Sequence, residues 1–242
     1  MCYSYGNAVV DNVVNDKPLV YLEDVSDYTV EDAGQVILVN CNRITVENLN
    51  LSCTDIGVEL WRTNNTKIRG NSISANNLIG VWLESSSNNN VTGNNMTANN
   101  GQGIFLNYSS NNSLVGNYIA NSCGGIDLNS SSDKIISRNT ITANTHWGIR
   151  LYSSSSNNVS ANNITNNWRG IELDYSAHNK LSGNNIAFNA FGIYLLKSSN
   201  NTVSRNNIIN IPSYPMADVA EPYGETNILD IATVAKDYGK TV

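Results

Sequence analysis

The residues best placed to do chemistry are four polar side chains: Asp127, Arg150, Glu172 and Asp174. Two carboxylates flanking a guanidinium are the parts of a sugar-cleaving or sugar-modifying site. One acid protonates a leaving oxygen, the other activates water or attacks, and the arginine holds an anionic sugar. Glu172 and Asp174 are next-but-one neighbours, so on a strand they share a face, and two acids sharing a proton raise one pKa. His146, beside Trp147, offers a further acid or base. A second set is aromatic and acidic: Glu59, Trp61, Trp82, Glu84, Phe105, Tyr152 and Tyr194. Rings stack on sugar faces and carboxylates accept from hydroxyls, so this set suits a polysaccharide.

The elements that hold these residues come from a repeat of 22 or 23 residues that returns seven times. Each copy opens with Gly, an aliphatic residue, a variable residue and Leu, from Gly57-Val58-Glu59-Leu60 to Gly192-Ile193-Tyr194-Leu195. Apolar columns run through the copies. One is Ile68, Val91, Leu114, Ile135, Val159, Leu181 and Val203; another is Ile73, Met96, Ile119, Ile141, Ile164, Ile186 and Ile208. Within a copy the apolar residues alternate with Asn, Ser, Thr and Gly, the pattern of short strands buried on one face. The helical spacing of leucine-rich or helical repeats is missing. The expected fold is all-β: a single right-handed parallel β-helix of seven clear coils plus an irregular first coil over residues 36–210.

Two columns mark the corners. Asn71, Asn94, Asn117, Asn139, Asn162, Asn184 and Asn206 recur at one position, where Asn tolerates a left-handed backbone or hydrogen-bonds to its stacked neighbours. The leading Gly serves another corner, or lets the backbone approach its neighbour closely. In this register the variable residue of Gly-Ile-x-Leu points outward. Glu59, Trp82, Phe105, Asp127, Arg150, Glu172 and Tyr194 then form one outward column, flanked by Trp61, Glu84, Tyr152 and Asp174. Asp127 and Glu172 lie two coils apart, roughly 9.6 Å by strand spacing. That is near the roughly 6.5–9.5 Å carboxyl separation of an inverting glycosidase. The plainer reading is a β-propensity face with a weak ladder of surface ion pairs, in a purely structural surface-layer spacer.

Composition narrows the partners. A net charge of −6 with few Lys and Arg excludes the basic footprint of a nucleic-acid binder. No apolar run is long enough for a membrane span. The start, Met1-Cys2-Tyr3-Ser4, lacks the pattern of a signal peptide and reads as a cut in a longer chain with further domains. Residues 1–35 are a cap or the remnant of earlier coils. Cys2, Cys41, Cys53 and Cys123 show no metal spacing, and a free thiol is expected at Cys123. Numerous Asn-X-Ser/Thr sequons are compatible with secretion.

The Gly-Ile-x-Leu openings, the Asn-Asn-x-Val and Gly-Asn-x-Ile segments, and the lead-in Lys17-Pro18-Leu19-Val20-Tyr21 resemble the NosD-like right-handed β-helix family, in particular its archaeal cell-surface members. The resemblance spans roughly residues 10–210. It implies an extracellular or cell-surface protein that binds or acts on polysaccharide or cell-surface glycan, or an accessory to a copper enzyme. The polygalacturonase, alginate-epimerase and pectate-lyase signatures (Asn-Thr-Asp, Asp-Pro-His-Asp, Arg-x-Pro) are missing, which weighs against catalysis by this chain alone. Copper needs gathered soft or imidazole ligands. The chain offers His146, His178, Met1, Met96, Met216 and four scattered cysteines, so no copper site is expected. After the prolines Pro212 and Pro215, residues 211–242 read as a linker and helical tail. Asp218 to Gly239 resembles half of a dockerin-type calcium motif, with Asp218, Asn227 and Asp230 as oxygen ligands. No cofactor is required, and Ca2+ at the tail is the one metal the resemblance implies.

Overall fold

The computed structural model describes residues 6–210. They form a right-handed parallel β-helix whose coils each carry three strands. The coil opened by Gly80 is representative: Ile79–Glu84, Asn90–Thr92 and Asn95–Thr97. Each strand pairs with its counterparts one repeat away, so Val81 lies between Val58 and Ile104. Stacking produces sheets of ten, nine and eight strands; the first holds the six-residue strands. Eight three-stranded coils run from Gln35 to Asn210.

Within the segment before residue 36, residues 17–30 belong to the solenoid. Lys17–Glu23 pairs in parallel with Gln35–Val39, and Thr29–Val30 with Thr45–Glu47, adding a two-stranded coil. Val13–Val14 folds back antiparallel on Lys17 and Pro18. The calcium ligands expected at Asp218, Asn227 and Asp230, with the whole 211–242 tail, lie outside the described residues.

Four aliphatic side chains per coil fill the interior. In the Gly80 coil they are Val81, Leu83, Val91 and Met96, all fully buried. Each such burial contributes roughly 1.5–3 kcal/mol. One expected column needs correction. Ile136, not Ile135, occupies the position between Leu114 and Val159; Ile135 is 52% exposed. Two adjacent isoleucines leave the alternation ambiguous, and a one-residue slip reverses the face.

The asparagines also act differently from the left-handed reading. The residue before each one takes the positive φ: Gly70, Gly93, Gly116, Arg138, Ala161, Gly183 and Arg205. The Asn itself turns inward, buried from Asn71 to Asn184 and half-buried at Asn206 in the last coil. Its Oδ1 accepts the backbone N–H of the Asn one coil earlier, and its Nδ2 reaches the Asn one coil later, as in Asn94 Nδ2 to Asn117 Oδ1 at 3.0 Å. The same device recurs at the other corners: Ser86 N donates to Ser109 Oγ at 2.9 Å, Asn89 N to Asn112 Oδ1 at 2.7 Å, and Asn99 N to Ser122 Oγ at 3.2 Å. A sharp corner takes its backbone N–H out of the strand ladder, and a buried N–H needs a partner. Lys134 interrupts one ladder. It is 1% exposed where neighbouring coils carry Asn112 and Asn157, and its Nζ donates to Ser132 O at 2.8 Å. The leading glycines serve close approach. A Cβ on Gly57 would lie 2.7 Å from Ile73 Cγ2 and 2.9 Å from Gly80 O.

Candidate functional site

The outer face of the first sheet carries the residues singled out by sequence. In-register pairing places Glu59, Trp82, Phe105, Asp127, Arg150, Glu172 and Tyr194 in one row across successive strands. Trp61, Glu84, Asn107, Asn129, Tyr152 and Asp174 form the row beside it. At 4.8 Å strand spacing, side chains this large must touch. They cover one another: Asp127 is 1% and Glu172 6% exposed, although both point away from the core.

The face divides along the helix axis. At one end the rings of Trp61, Trp82 and Phe105 form a tilted ladder, with centroids 5.5 and 6.0 Å apart. Trp61 Nε1 donates to Glu59 Oε1. Glu84 Oε2 accepts from Asn107 Nδ2 at 2.9 Å. Burial pushes the Glu59 carboxyl above its ordinary range, opposed by the Trp61 hydrogen bond.

The middle is ionic. Arg150 grips Asp127 through two 2.9 Å hydrogen bonds, from Nε and Nη2, while its guanidinium lies 4.2 Å from the Trp147 ring centre. Glu172 is bound by Arg169 rather than by Arg150, through Nη1 to Oε1 at 2.7 Å. Arg169 in turn lies 4.2 Å from the Tyr194 ring centre. Burial raises the Asp127 carboxyl, partly offset by Arg150 and reinforced by Glu172. Asp174 is raised by burial and then by Glu172. The surface ion-pair ladder of the plainer reading is thus two separate, largely buried pairs.

His146 stands apart from the acids. It is exposed in the turn before Trp147–Tyr152, with Nδ1 3.2 Å from Cys123 Sγ and its ring 5.5 Å from that of Trp147. Cys41, Cys53 and Cys123 are free thiols.

Sequence reasoning missed the residue preceding each leading Gly. Trp147, Arg169 and Phe191 occupy that position and join the same face, with Trp168 packed edge-on to Phe191 at 5.4 Å. Gly124 stands at that position beneath the Trp147 indole; a Cβ there would lie 2.6 Å from Nε1. The signal was the cluster Trp147, Trp168, Arg169 and Phe191 in otherwise Asn- and Ser-rich sequence.

Six buried polar side-chain atoms among the described residues have no hydrogen-bond partner: Trp82 Nε1, Asn107 Oδ1, Trp147 Nε1, Arg169 Nε, Glu172 Oε2 and Asp174 Oδ1. All belong to this face. Leaving such an atom unsatisfied costs about 1–3 kcal/mol, so orphaned polar atoms mark places where something else supplies the partner.

The profile of the NosD family, described as periplasmic copper-binding protein, matches residues 2–158 and 120–218. The chain belongs to the NosD family. No curated protein matches it significantly. Among solved structures, this NosD-family chain is similar to a variant of the periplasmic alginate epimerase AlgG, with a TM-score of 0.69, 16% identity, and coverage of 78% of this chain and 50% of that one. It is also similar to the A-module of the mannuronan C-5 epimerase AlgE6 of Azotobacter vinelandii (0.61, 15%, 79% and 63%). A third is PfbA, a surface adhesin of Streptococcus pneumoniae (0.59, 14%, 79% and 60%). These likenesses show the fold, and the chain spans about half to two thirds of those proteins.

The family description names copper, and the donor set of the described residues does not fit it. Among the described residues no three His, Cys, Asp or Glu side chains gather for a metal. The closest soft pair is Cys123 with His146, and Met96 is sealed in the core. A copper centre gathers more donors than one thiol and one imidazole. No helix of the described residues is long and apolar enough to cross a membrane.

Proposed function

We propose that this NosD-family chain is a polysaccharide-binding solenoid that works at the cell surface or outside the cell. Its binding face is the outer face of the first sheet. The observation that carries this reading is the confinement of the orphaned buried polar atoms to that face, beside the Trp61–Trp82–Phe105 ladder. A sugar presents an apolar ring face to aromatics and hydroxyls to donors and acceptors alike, so it satisfies both at once. Trp61, Trp82, Phe105 and Tyr152 supply ring surface; Glu59, Glu84 and Asp174 supply acceptors; Arg169 holds Tyr194 and Glu172 in place. The polysaccharide epimerases and the adhesin that share the fold are in keeping with such a role. The test is retention on immobilised polysaccharide: Trp82→Ala with Phe105→Ala should lose it while keeping the native melting temperature. Unchanged retention would sink the reading.

The second reading is a polysaccharide-modifying enzyme, and the environment of Asp174 favours it. Burial and Glu172 raise this carboxyl, and its Oδ1 is free to donate when protonated. Asp174 would then be the general acid and Glu172 the base. Asp127 and Arg150 would shape the site through their closed pair, and His146 would serve a substrate reaching the Cys123 edge. Glu172→Gln should abolish product formation and keep binding; full turnover in that variant would exclude the assignment.

A further inference from the structure

We propose that Cys123 is a modification site: a thiol that His146 readies for exchange with small disulfides, giving a mixed disulfide at the edge of the first sheet. The inference stands apart from the glycan-binding reading.

The three described thiols differ in their surroundings, so exposure and chemistry can be told apart. Cys41 is buried, Cys53 is exposed and Cys123 lies between them. The Cys41 Sγ donates to Leu22 O and Val39 O, both at 3.3 Å, and burial pushes its thiol up. A thiol so enclosed is inert. Cys53 sits in an open turn, and among the described residues no side chain hydrogen-bonds to its sulfur. Of the three, Cys123 is the one paired with a base: its Sγ lies 3.2 Å from His146 Nδ1.

The solenoid makes this pair. Cys123 and His146 hold the same place in successive coils, two residues before Gly125 and Gly148, and His146 N donates to Cys123 O at 2.8 Å. Stacking at one strand spacing sets thiol and imidazole side by side. The coil before brings Gly101 to that place, and Cys123 N donates to Gly101 O at 2.9 Å. Glycine has no side chain with which to cover the thiol from that side. Next to Cys123, the Trp147 indole lies against Gly124, where a Cβ would sit 2.6 Å from Nε1. That indole N–H is buried without a partner and can hold an acceptor of the incoming molecule.

With the ring proton on Nε2, His146 Nδ1 accepts from the thiol. As the Cys123 sulfur attacks one sulfur of the disulfide, its proton passes to Nδ1. The new S–S bond forms and the old one breaks. The leaving thiolate then takes the proton from the imidazolium. Cys123 is oxidised, the departing sulfur is reduced to a thiol, and the small disulfide is the sole oxidant.

The test is incubation of the whole, freshly reduced chain with glutathione disulfide at neutral pH. Acid quenching and peptide mass spectrometry follow each cysteine separately. Cys123 should be modified several-fold faster than Cys53 although it is less exposed, and Cys41 should stay reduced while the protein is folded. His146→Ala opens the thiol to solvent and removes the base, so the two explanations predict opposite signs. The Cys123 rate should fall roughly tenfold while that of Cys53 holds. His146→Gln, which keeps a hydrogen-bonding side chain but no base, should fall as far. Cys53 reacting as fast as Cys123 in the native chain would show that exposure sets the rate, and would overturn the proposal. So would an unchanged or faster Cys123 in either variant that melts as the native chain does.

Discussion

Arg169 meets Glu172 through one 2.7 Å hydrogen bond, from Nη1 to Oε1, and Glu172 Oε2 is left buried without a partner. The two residues stand three apart on one strand, so the guanidinium reaches along the strand and presents an edge, not its fork. Arg150 and Asp127 lie opposite each other on adjacent strands, where fork and carboxylate align and both oxygens are bonded. The same charge pair is therefore closed at one place and half open at the other. Under the proposed glycan-binding role, the half-open pair is where a ligand hydroxyl would insert.

Replacing Arg150 with Met should destabilise the fold by about 3 kcal/mol at pH 7, because it strands a buried carboxylate. Burial already raises Asp127 against the pull of Arg150, and losing Arg150 raises it further. An acid whose folded pKa exceeds its unfolded one loses stability as pH rises through the unfolded value near 4. Urea melts should therefore show a large deficit at pH 7 that shrinks toward pH 4. An equal deficit at both values would assign the loss to packing against Trp147.

Trp82→Ala should weaken binding of a polysaccharide by roughly tenfold, the scale of one aromatic contact with its buried area. Tyr194→Ala should act chiefly on stability, since Tyr194 is 8% exposed and carries Arg169 on its ring. Calorimetric titration beside thermal melts separates the two outcomes.

Gly148→Ala and Gly93→Ala should differ sharply. A Cβ on Gly148 would lie 2.5 Å from Ile164 Cγ2 and 2.7 Å from Gly170 O, both in the packed interior. Overpacking against backbone should cost about 3 kcal/mol and threaten folding. Gly93 has open space within 4 Å and a φ of +62°, so alanine there costs about 1 kcal/mol of left-handed strain. Chemical denaturation of the pair checks the ordering.

Lys134→Asn should stabilise the protein and flatten its alkaline pH dependence. Burial lowers the Lys134 amine to about 7, so the native state sheds a proton that the unfolded chain keeps. The unfolded state then binds more protons between pH 7 and about 10.4, and stability rises with pH across that window. Asparagine would offer Asn112 the side-chain acceptor that the neighbouring ladder steps have. Melting temperatures across that range, wild type against variant, test the slope; a variant with an unchanged slope would clear Lys134 of the effect.

The sequence by itself determined the coil. A 22- or 23-residue period of alternating aliphatic and polar residues has one economical solution, parallel stacking, and stacking in register fixes which residues form a row. That made the outward row from Glu59 to Tyr194 legible. What periodicity could not settle was local. It could not choose between Ile135 and Ile136, because two adjacent isoleucines fit either phase. It could not say that Asn94 turns inward while Gly93 takes the left-handed backbone, because both residue types tolerate that geometry. Nor could it choose the partners on the face. Whether Arg150 or Arg169 holds Glu172, and which oxygen is left over, depends on side-chain reach between strands about 4.8 Å apart, and only the tertiary structure sets that reach.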